Sequence, residues 1–473
     1  MPSIIEIAAT APDEVDSYIQ AYTAAGGEIV DRIAVGEGFQ LETGVKAKRI
    51  PVRLSEPMGG AKVSIDNGTI GRGRGVESLY YQAAHIPFQY LFELSYEEAK
   101  SNYANVMDAN QLVFGRAAST VPIWKDIFFH QDGSGVVAGA AGGSVASTVS
   151  VDGVNRTKYV FADVSDFVDV RNLVQGMAVE VFASDLTARR SPSSGSNVTF
   201  IRSINVDEKS VILNQEIASA TNGDILVIPG LIDPAGVFAS GYSGGATPPL
   251  SSFNSTWPAA RTVANKGFTG DAFRHGYLYP QNTDPTKYFS GLQKSALPEL
   301  IPVATDASGS PLNHTMIVQL INKLIKKRPS VSHSDWTGII SLEQKDAAWR
   351  AGQAVITTMT QVAGEYGKIR DAAPSDMGLS DTITLGGVVC HADRRQLANR
   401  VDFLVTKNIG VCKAGDLRRV TEFGTNGFVD VMDTTSGTPK YTFLMAMLDD
   451  YDFAYRDPGA NALIQNLSVP AGY

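Results

Sequence analysis

Cysteine is nearly absent: Cys390 and Cys412 are the only two in 473 residues. They stand in no C-x-x-C spacing, which excludes a disulfide framework and a cysteine-based zinc site, so both are expected as core or strand-end thiols. Histidine is equally thin. His85, His130, His275, His314, His333 and His391 stand singly, with no H-x-x-x-H pair to hold a metal. No apolar run approaches the roughly 18 residues that a membrane helix needs. Met1-Pro-Ser-Ile-Ile-Glu6 also lacks the charged and apolar regions of a signal peptide. A soluble chain made in a cytoplasm, with no membrane partner, is therefore expected, and the Asn-x-Ser/Thr triplets at Asn67, Asn155 and Asn254 carry no glycan on that route. A basic excess is missing too. The net charge of −9 opposes a dedicated nucleic-acid binder.

Catalytic signatures are missing in the same way. No G-x-x-x-x-G-K-[ST] phosphate loop exists, and Gly71-Arg-Gly-Arg-Gly75 lacks the G-x-G-x-x-G spacing and the helix that a dinucleotide fingerprint requires. Gly241-Tyr-Ser243-Gly-Gly245 matches a nucleophile elbow in letters only. Ala246-Thr-Pro-Pro249 follows it, and the double proline forbids the helix that would hold the serine strained and exposed. Asp163, Asp166 and Asp169 are spaced as a solvated helical face, not at the alternate positions of a calcium loop. These absences assign no catalytic, cofactor-binding or metal residue, and the expectation is a protein that is not an enzyme.

What is present is long and extended. From about Lys46 to Leu94 two limbs, Lys48–Leu54 and Leu79–Leu94, flank a tip rich in Gly, Arg and Lys: Pro57-Met-Gly-Gly-Ala-Lys62 and Gly68-Thr-Ile-Gly-Arg-Gly-Arg-Gly75. Phe88, Tyr90, Phe92 and Leu94 alternate at the period of a half-buried strand. At roughly 3.3 Å per residue such limbs reach about 40–50 Å, more than one globule leaves unpaired, so another subunit is the expected outlet. Ser95-Tyr-Glu-Glu98 then reads as a capping box. Ala99, Tyr103, Val106, Asn110, Val113 and Ala117 continue it as one apolar stripe on a helix of about 35 Å.

The rest is segmented by composition. Residues 1–45 carry a short helical pattern, Pro12 to Tyr22, and then polar, mostly irregular chain. The Gly/Ala/Ser-rich stretch through Thr148 reads as linker or turn. From Val149 to Ile232 short alternating runs, such as Met177, Val179 and Val181, predict a small all-β, barrel-like module. Pro234 to Pro298 is dense in Gly, Ser, Pro, Asn and aromatics, which suits a segment that lines a site or meets a partner. The C-terminal part reads as α/β. A helix over Met316 to Leu324 stops at Lys326-Lys-Arg-Pro329, a second opens at the capping box Ser341-Leu-Glu-Gln344, and a third is expected over Arg394–Leu404 after strand Gly387–Cys390. The last strands are placed at Tyr441–Met447 and Tyr451–Tyr455.

In this order, arm, extended hairpin, long helix, inserted β module and α/β domain, the chain resembles the major capsid proteins of tailed bacteriophages, the Hong Kong 97 type of fold. Gln131-Asp-Gly-Ser-Gly-Val-Val-Ala138, Leu173-Val-Gln-Gly-Met-Ala-Val-Glu-Val181 and Gly387-Val-Val-Cys-His-Ala-Asp-Arg-Arg-Gln-Leu397 resemble phrases of that family. The resemblance implies an α+β fold. Its parts would be an N-terminal arm (1–45), an extended loop (46–94), a spine helix and peripheral domain (95–148) and the inserted module (149–232). An irregular segment (233–299), an axial domain (300–440) and a return to the peripheral domain with a tail (441–473) would follow.

It implies a structural subunit of an icosahedral head shell, assembled in the host cytoplasm and resident in the virion. The expected partners are its own copies in pentamers and hexamers, separate scaffold, portal and cement proteins, and packaged double-stranded DNA held without sequence-specific contacts. With only about 45 residues before the hairpin, a separate scaffold or none is expected, and no maturation cleavage. Lys62, Arg72 and Arg74 at the tip, with Glu97, Glu98, Asp449 and Asp450 as acidic counterparts, are the candidate inter-subunit contacts, though solvation alone also accounts for the tip arginines. A phage tail or baseplate protein, a β-rich hydrolase using Ser243 or paired carboxylates, and a carbohydrate-binding module are the other readings.

Overall fold

The computed structural model describes residues 36–40, 47–53, 78–84, 87–95, 123–130, 136–139, 144–161, 170–183, 189–192, 198–229, 278, 280–281, 283, 285, 288–289, 292–329, 331, 335–350, 382–385, 387–413, 418–419, 428–432 and 439–470. The fold is mixed α and β with sheet predominating. The chain forms two compact units. One comprises Met1–Lys48, Ala84–Phe129 and Gly410–Phe453, and the other Arg49–Ala83, His130–Ile409 and Ala454–Tyr473.

The first unit is built around one strand, Pro439–Tyr455, of 17 residues. It pairs antiparallel with Pro87–Ser95 over nine positions, from Thr442 opposite Ser95 to Asp450 opposite Pro87. Phe428–Met432 and Arg418–Arg419 also pair with it. Ile409–Lys413 joins the sheet and carries Gly36–Gln40 in parallel at its edge. Three expectations change here. Residues expected to be irregular contain the strand Gly36–Gln40, and the two expected terminal strands are one continuous element. The supposed return limb is also divided, because Ala47–Arg53 pairs with Ser78–Ala84 as a two-stranded ribbon while Pro87–Ser95 joins the Pro439–Tyr455 sheet. Residues 123–129, read only as an apolar aromatic stretch, form a helix. On it Trp124 stacks on Phe128 and Phe129 meets Phe453 edge to face, with ring centres 5.5 and 5.2 Å apart.

The second unit holds two large sheets. One runs Val136–Ala138, Ile225–Val227, Ala178–Phe182, Thr199–Asn205, Ser210–Leu213, Val154–Phe161 and Ser144–Val151 in spatial order, with Arg189–Arg190 added beside Ala178–Phe182. Val179 and Val181 are buried, as their alternation with Met177 predicts; Ile201, Val211, Leu213 and Ile225 are buried as well, while Phe200 is exposed. Ser144–Val151, expected as a linker or turn through Thr148, is a strand of this sheet. Its β-branched residues pair without a break against Val154–Phe161 around Asp152-Gly153. Both turn residues have positive φ (55° and 74°), the signature of the two-residue hairpin turn whose twist matches its strands.

The other sheet runs Val303–Asp306, Ala462–Gln465, Val401–Val405, Trp336–Ser341, Val388–Asp393 and Thr382–Leu385. Helix His314–Lys327 lays Ile317, Leu320, Ile321 and Leu324 into a core with Trp336, Cys390, Phe403 and Ile464. Asn313 caps this helix, accepting from the Met316 amide at 2.9 Å, while Lys326 and Lys327 occupy its negative end. The expected third helix over Arg394–Leu404 is absent. Val401-Asp-Phe-Leu-Val405 is a strand buried between two neighbours, and Leu397, Val401 and Leu404 mimic helical spacing only by chance. At Ser341 half of the capping box forms. The hydroxyl accepts from the Gln344 amide at 3.2 Å, but the Gln344 side chain donates instead to Ala398 O and Ser468 O, both at 2.8 Å.

Candidate functional site

Of the candidate contacts, Lys62, Arg72, Arg74, Glu97 and Glu98 lie outside the described residues, as do the elbow at Ser243, the three aspartates from Asp163 and the helix expected from Ala99. Asp449 and Asp450 fall within the strand Pro439–Tyr455. They lie on the central strand of the first unit, opposite Phe88 and Pro87.

Two clusters of polar side chains meet in the second unit, the first within its larger sheet. Asp224, fully buried, is its hub. Its carboxylate accepts from the Tyr159 hydroxyl at 3.1 Å, the Thr221 amide at 2.8 Å, the Thr221 hydroxyl at 2.9 Å and Arg190 Nε at 3.0 Å. The Ser144 hydroxyl donates to the Asp224 carbonyl at 2.7 Å, which ties the last strand to the same loop. Burial, and then the neighbouring Asp224 charge, push the Tyr159 phenol above the usual tyrosine range.

A second polar cluster fixes the module to the α/β sheet. Arg171, in the short 3-10 turn Val170–Asn172, donates to Glu343 through both terminal nitrogens and to Gln396 O at 2.7 Å. Arg395 returns a bond to Arg171 O at 3.1 Å. Beneath it, Arg400 grips the buried Asp402 carboxylate with Nε and Nη2, and Gln396 donates to the same group at 2.7 Å. Sequence reasoning missed this cluster because its members are scattered over more than 200 positions, and only the unusual run Asp393-Arg-Arg-Gln396 signals a polar core.

Close by, His130 Nε2 lies 3.2 Å from Asp393 Oδ2, both nearly sealed from solvent. Burial alone would raise the Asp393 pKa. The adjacent His130, the Arg395 amide at 2.8 Å and the Arg395 charge outweigh it and hold the carboxyl below the ordinary carboxylate value. Asp126, one turn before His130, is buried as well. Cys390 is sealed inside the sheet, and burial pushes its thiol up to about 12, which makes it inert. Among the described residues no helix is long and apolar enough to cross a membrane.

The outward surface of the module is more apolar than its polar hub suggests. Val206 is 70% exposed, Val145 55% and Phe200 47%.

No protein-family model and no curated protein matches the chain. Among solved structures, the capsid asymmetric unit of cyanophage A-1(L) aligns over 94% of this chain and 93% of its own, at 9% identity and a TM-score of 0.42. Gordonia phage Cozz aligns over 94% and 87%, at 8% identity and 0.39. The procapsid of satellite phage P4 with its size determination protein aligns over 97% and 99%, at 8% identity and 0.37.

Proposed function

We propose that this chain is a structural, non-enzymatic subunit of an icosahedral phage head, a major capsid protein of the Hong Kong 97 type. The observation that carries the reading is the nine-pair ladder between Pro87–Ser95 and Pro439–Tyr455, which sends the end of the chain back to the sheet begun near its start. That return follows the axial segment in the order of parts that the resemblance implies. The uninterrupted insertion of a β module between these two visits supports the same order.

In this reading the ribbon of Ala47–Arg53 and Ser78–Ala84, with the tip between them, lies over adjacent subunits, while Pro87–Ser95 stays in its own sheet and residues 95–118 form the spine helix. Copies gather as pentamers and hexamers around packaged DNA, with scaffold, portal and cement proteins as separate partners, in a host cytoplasm. Each contact is weak alone, and an arm that meets several neighbours makes removal of one subunit break many contacts at once. The acidic balance keeps the container from gripping its cargo, where the inner face shares it.

Electron microscopy of the purified protein, expressed alone and with candidate scaffolds, tests this. Closed shells are expected, tubes or discs would point to a tail or baseplate component, and a monomer in every condition would overturn the reading. Deletion of residues 57–75 is expected to leave folded protein that assembles poorly.

A further inference from the structure

The strand Ser144–Val151 ends the larger sheet, and it lacks the usual protection of an edge. Ser144-Val-Ala-Ser-Thr-Val-Ser-Val151 contains no charged residue, proline or glycine, and its pairing to the neighbouring strand shows no bulge. Its outward groups can be identified. The Phe161 amide turns away from the edge to Lys209 O at 2.9 Å, so Val160, Lys158 and Arg156 face the last strand and form the hydrogen-bonded pairs with Val145, Ser147 and Val149. Ser144, Ala146, Thr148 and Ser150 therefore direct their backbone groups outward. The module covers the first two: the Gly223 amide donates to Ser144 O at 2.9 Å, and the Ala146 amide donates to Asn222 Oδ1 at 3.0 Å. Among the described residues nothing covers Thr148 and Ser150, and both are exposed.

We propose that Thr148–Ser150 is a homotypic docking site, pairing antiparallel with the same segment of a second copy about a two-fold axis at Val149. The proposal rests on the shell reading for its setting, since the pairing is short and gains strength only between subunits already held together. A second copy fits because the segment is self-complementary. With the axis at Val149, Thr148 faces Ser150 of the partner subunit and Ser150 faces Thr148 of the partner subunit, giving four backbone hydrogen bonds. The alternative registers fail. An axis at Thr148 opposes Ser150 to the partner's Ala146, whose amide is already bound to Asn222. An axis at Ser150 opposes Thr148 to the partner's Asp152, whose φ of 55° is not extended.

Charge raises no obstacle. Asp152 is matched within each copy by Arg202 and Lys158 by Glu208 at 2.5 Å, and Arg156, cross-strand from Val149, is buried and donates to Asn214 O. Val149 then meets Val149 of the partner subunit as a non-hydrogen-bonded pair about 4.5 Å apart at Cα, close enough for a disulfide between cysteines.

The test is Val149→Cys, with Ser147→Cys as control, each in a Cys390→Ala, Cys412→Ala background. Both are oxidised with glutathione disulfide in assembled particles and in concentrated unassembled protein. Ser147 lies two residues off the axis, about 13 Å from its own copy, beyond disulfide reach. Val149→Cys is expected to give covalent dimer at least about tenfold above the control, with the avidity of the shell raising the yield in particles. In the wild-type protein the segment around Thr148 and Ser150 is expected to gain hydrogen-exchange protection on assembly. Particles without a Val149-specific dimer and without that protection would overturn the pairing and leave the shell reading standing. A Val149-specific dimer in protein that never forms shells would support the pairing and sink the shell. Neither dimer nor shell would overturn both.

Discussion

Arg171 and Glu343, 172 residues apart in sequence, meet with Nη2 2.8 Å from Oε1 and Nη1 3.3 Å from Oε2, each side chain only 14% exposed. Truncating either one strands a largely buried charge. Arg171→Ala is expected to cost about 3 kcal/mol in a urea titration, because the Glu343 carboxylate loses its counter-ion and Gln396 O loses a donor. The double variant Arg171→Ala, Glu343→Ala should cost less than the sum of the singles by about 1–2 kcal/mol. Strict additivity would mean that the pair does not anchor the module.

Asp224 makes a second test inside the module. Its two oxygens accept four bonds, from Tyr159, Arg190 and both polar groups of Thr221. Asp224→Ala leaves Arg190 without its anion and the buried Tyr159 hydroxyl without its acceptor, so a loss of about 3–5 kcal/mol is expected. Tyr159→Phe removes one neutral donor from a site with other donors and should cost only about 1 kcal/mol. Differential hydrogen exchange would locate both effects in the strands flanking Val154–Phe161. An equal cost for the two variants would contradict the hub.

The reach of the sequence follows from these contacts. Alternation is legible at Ala178–Phe182, where Val179 and Val181 are buried and the period-2 signal is local, whereas Ile225 sits in an unbroken buried run with no such period. The helix His314–Lys327 was legible from its stripe and its basic end. Ser144–Val151 was missed because Ser and Ala mimic a linker, and what makes it a strand is the partner beyond the Asp152-Gly153 turn. Val401–Val405 was misread because a short apolar run fits either period until its neighbours in the sheet are known. The polar anchorage was illegible for a related reason: Arg171, Glu343 and Gln396 have no common spacing. Only folding makes them adjacent.

Gly338 illustrates such a non-local constraint. It sits on Trp336–Ser341 directly opposite Cys390 on Val388–Asp393, and a methyl group added there would lie 2.3 Å from Cys390 Sγ. Neither strand can retreat, because each is paired on both sides. Gly338→Ala is therefore expected to destabilise by about 1–3 kcal/mol through overpacking. Cys390→Ala should relieve part of that loss, so the double variant is expected to be more stable than Gly338→Ala alone. Thermal unfolding of the four proteins of the cycle measures the coupling, and a double variant at or below the stability of Gly338→Ala would show that the sulfur is not the obstacle.

Acid should find a weak point at Asp393. Its pKa is held below the ordinary 3.8, because His130 and Arg395 overcome the burial that opposes ionisation. Between the ordinary value and the lower folded one, the unfolded chain binds a proton that the folded chain does not. Asp393 thus contributes stability that is present above 3.8 and lost as pH falls through the folded value. Urea midpoints measured from about pH 5 down to about pH 2.5 should fall, and Asp393→Asn should flatten that fall at the cost of lower stability near neutrality. His130→Gln provides the sharper comparison. It removes the principal influence lowering the pKa and leaves burial, the largest single influence and opposite in sign, in place. The acid dependence attributable to this carboxyl should therefore shrink or reverse; an unchanged slope in His130→Gln would place the acid sensitivity elsewhere in the chain.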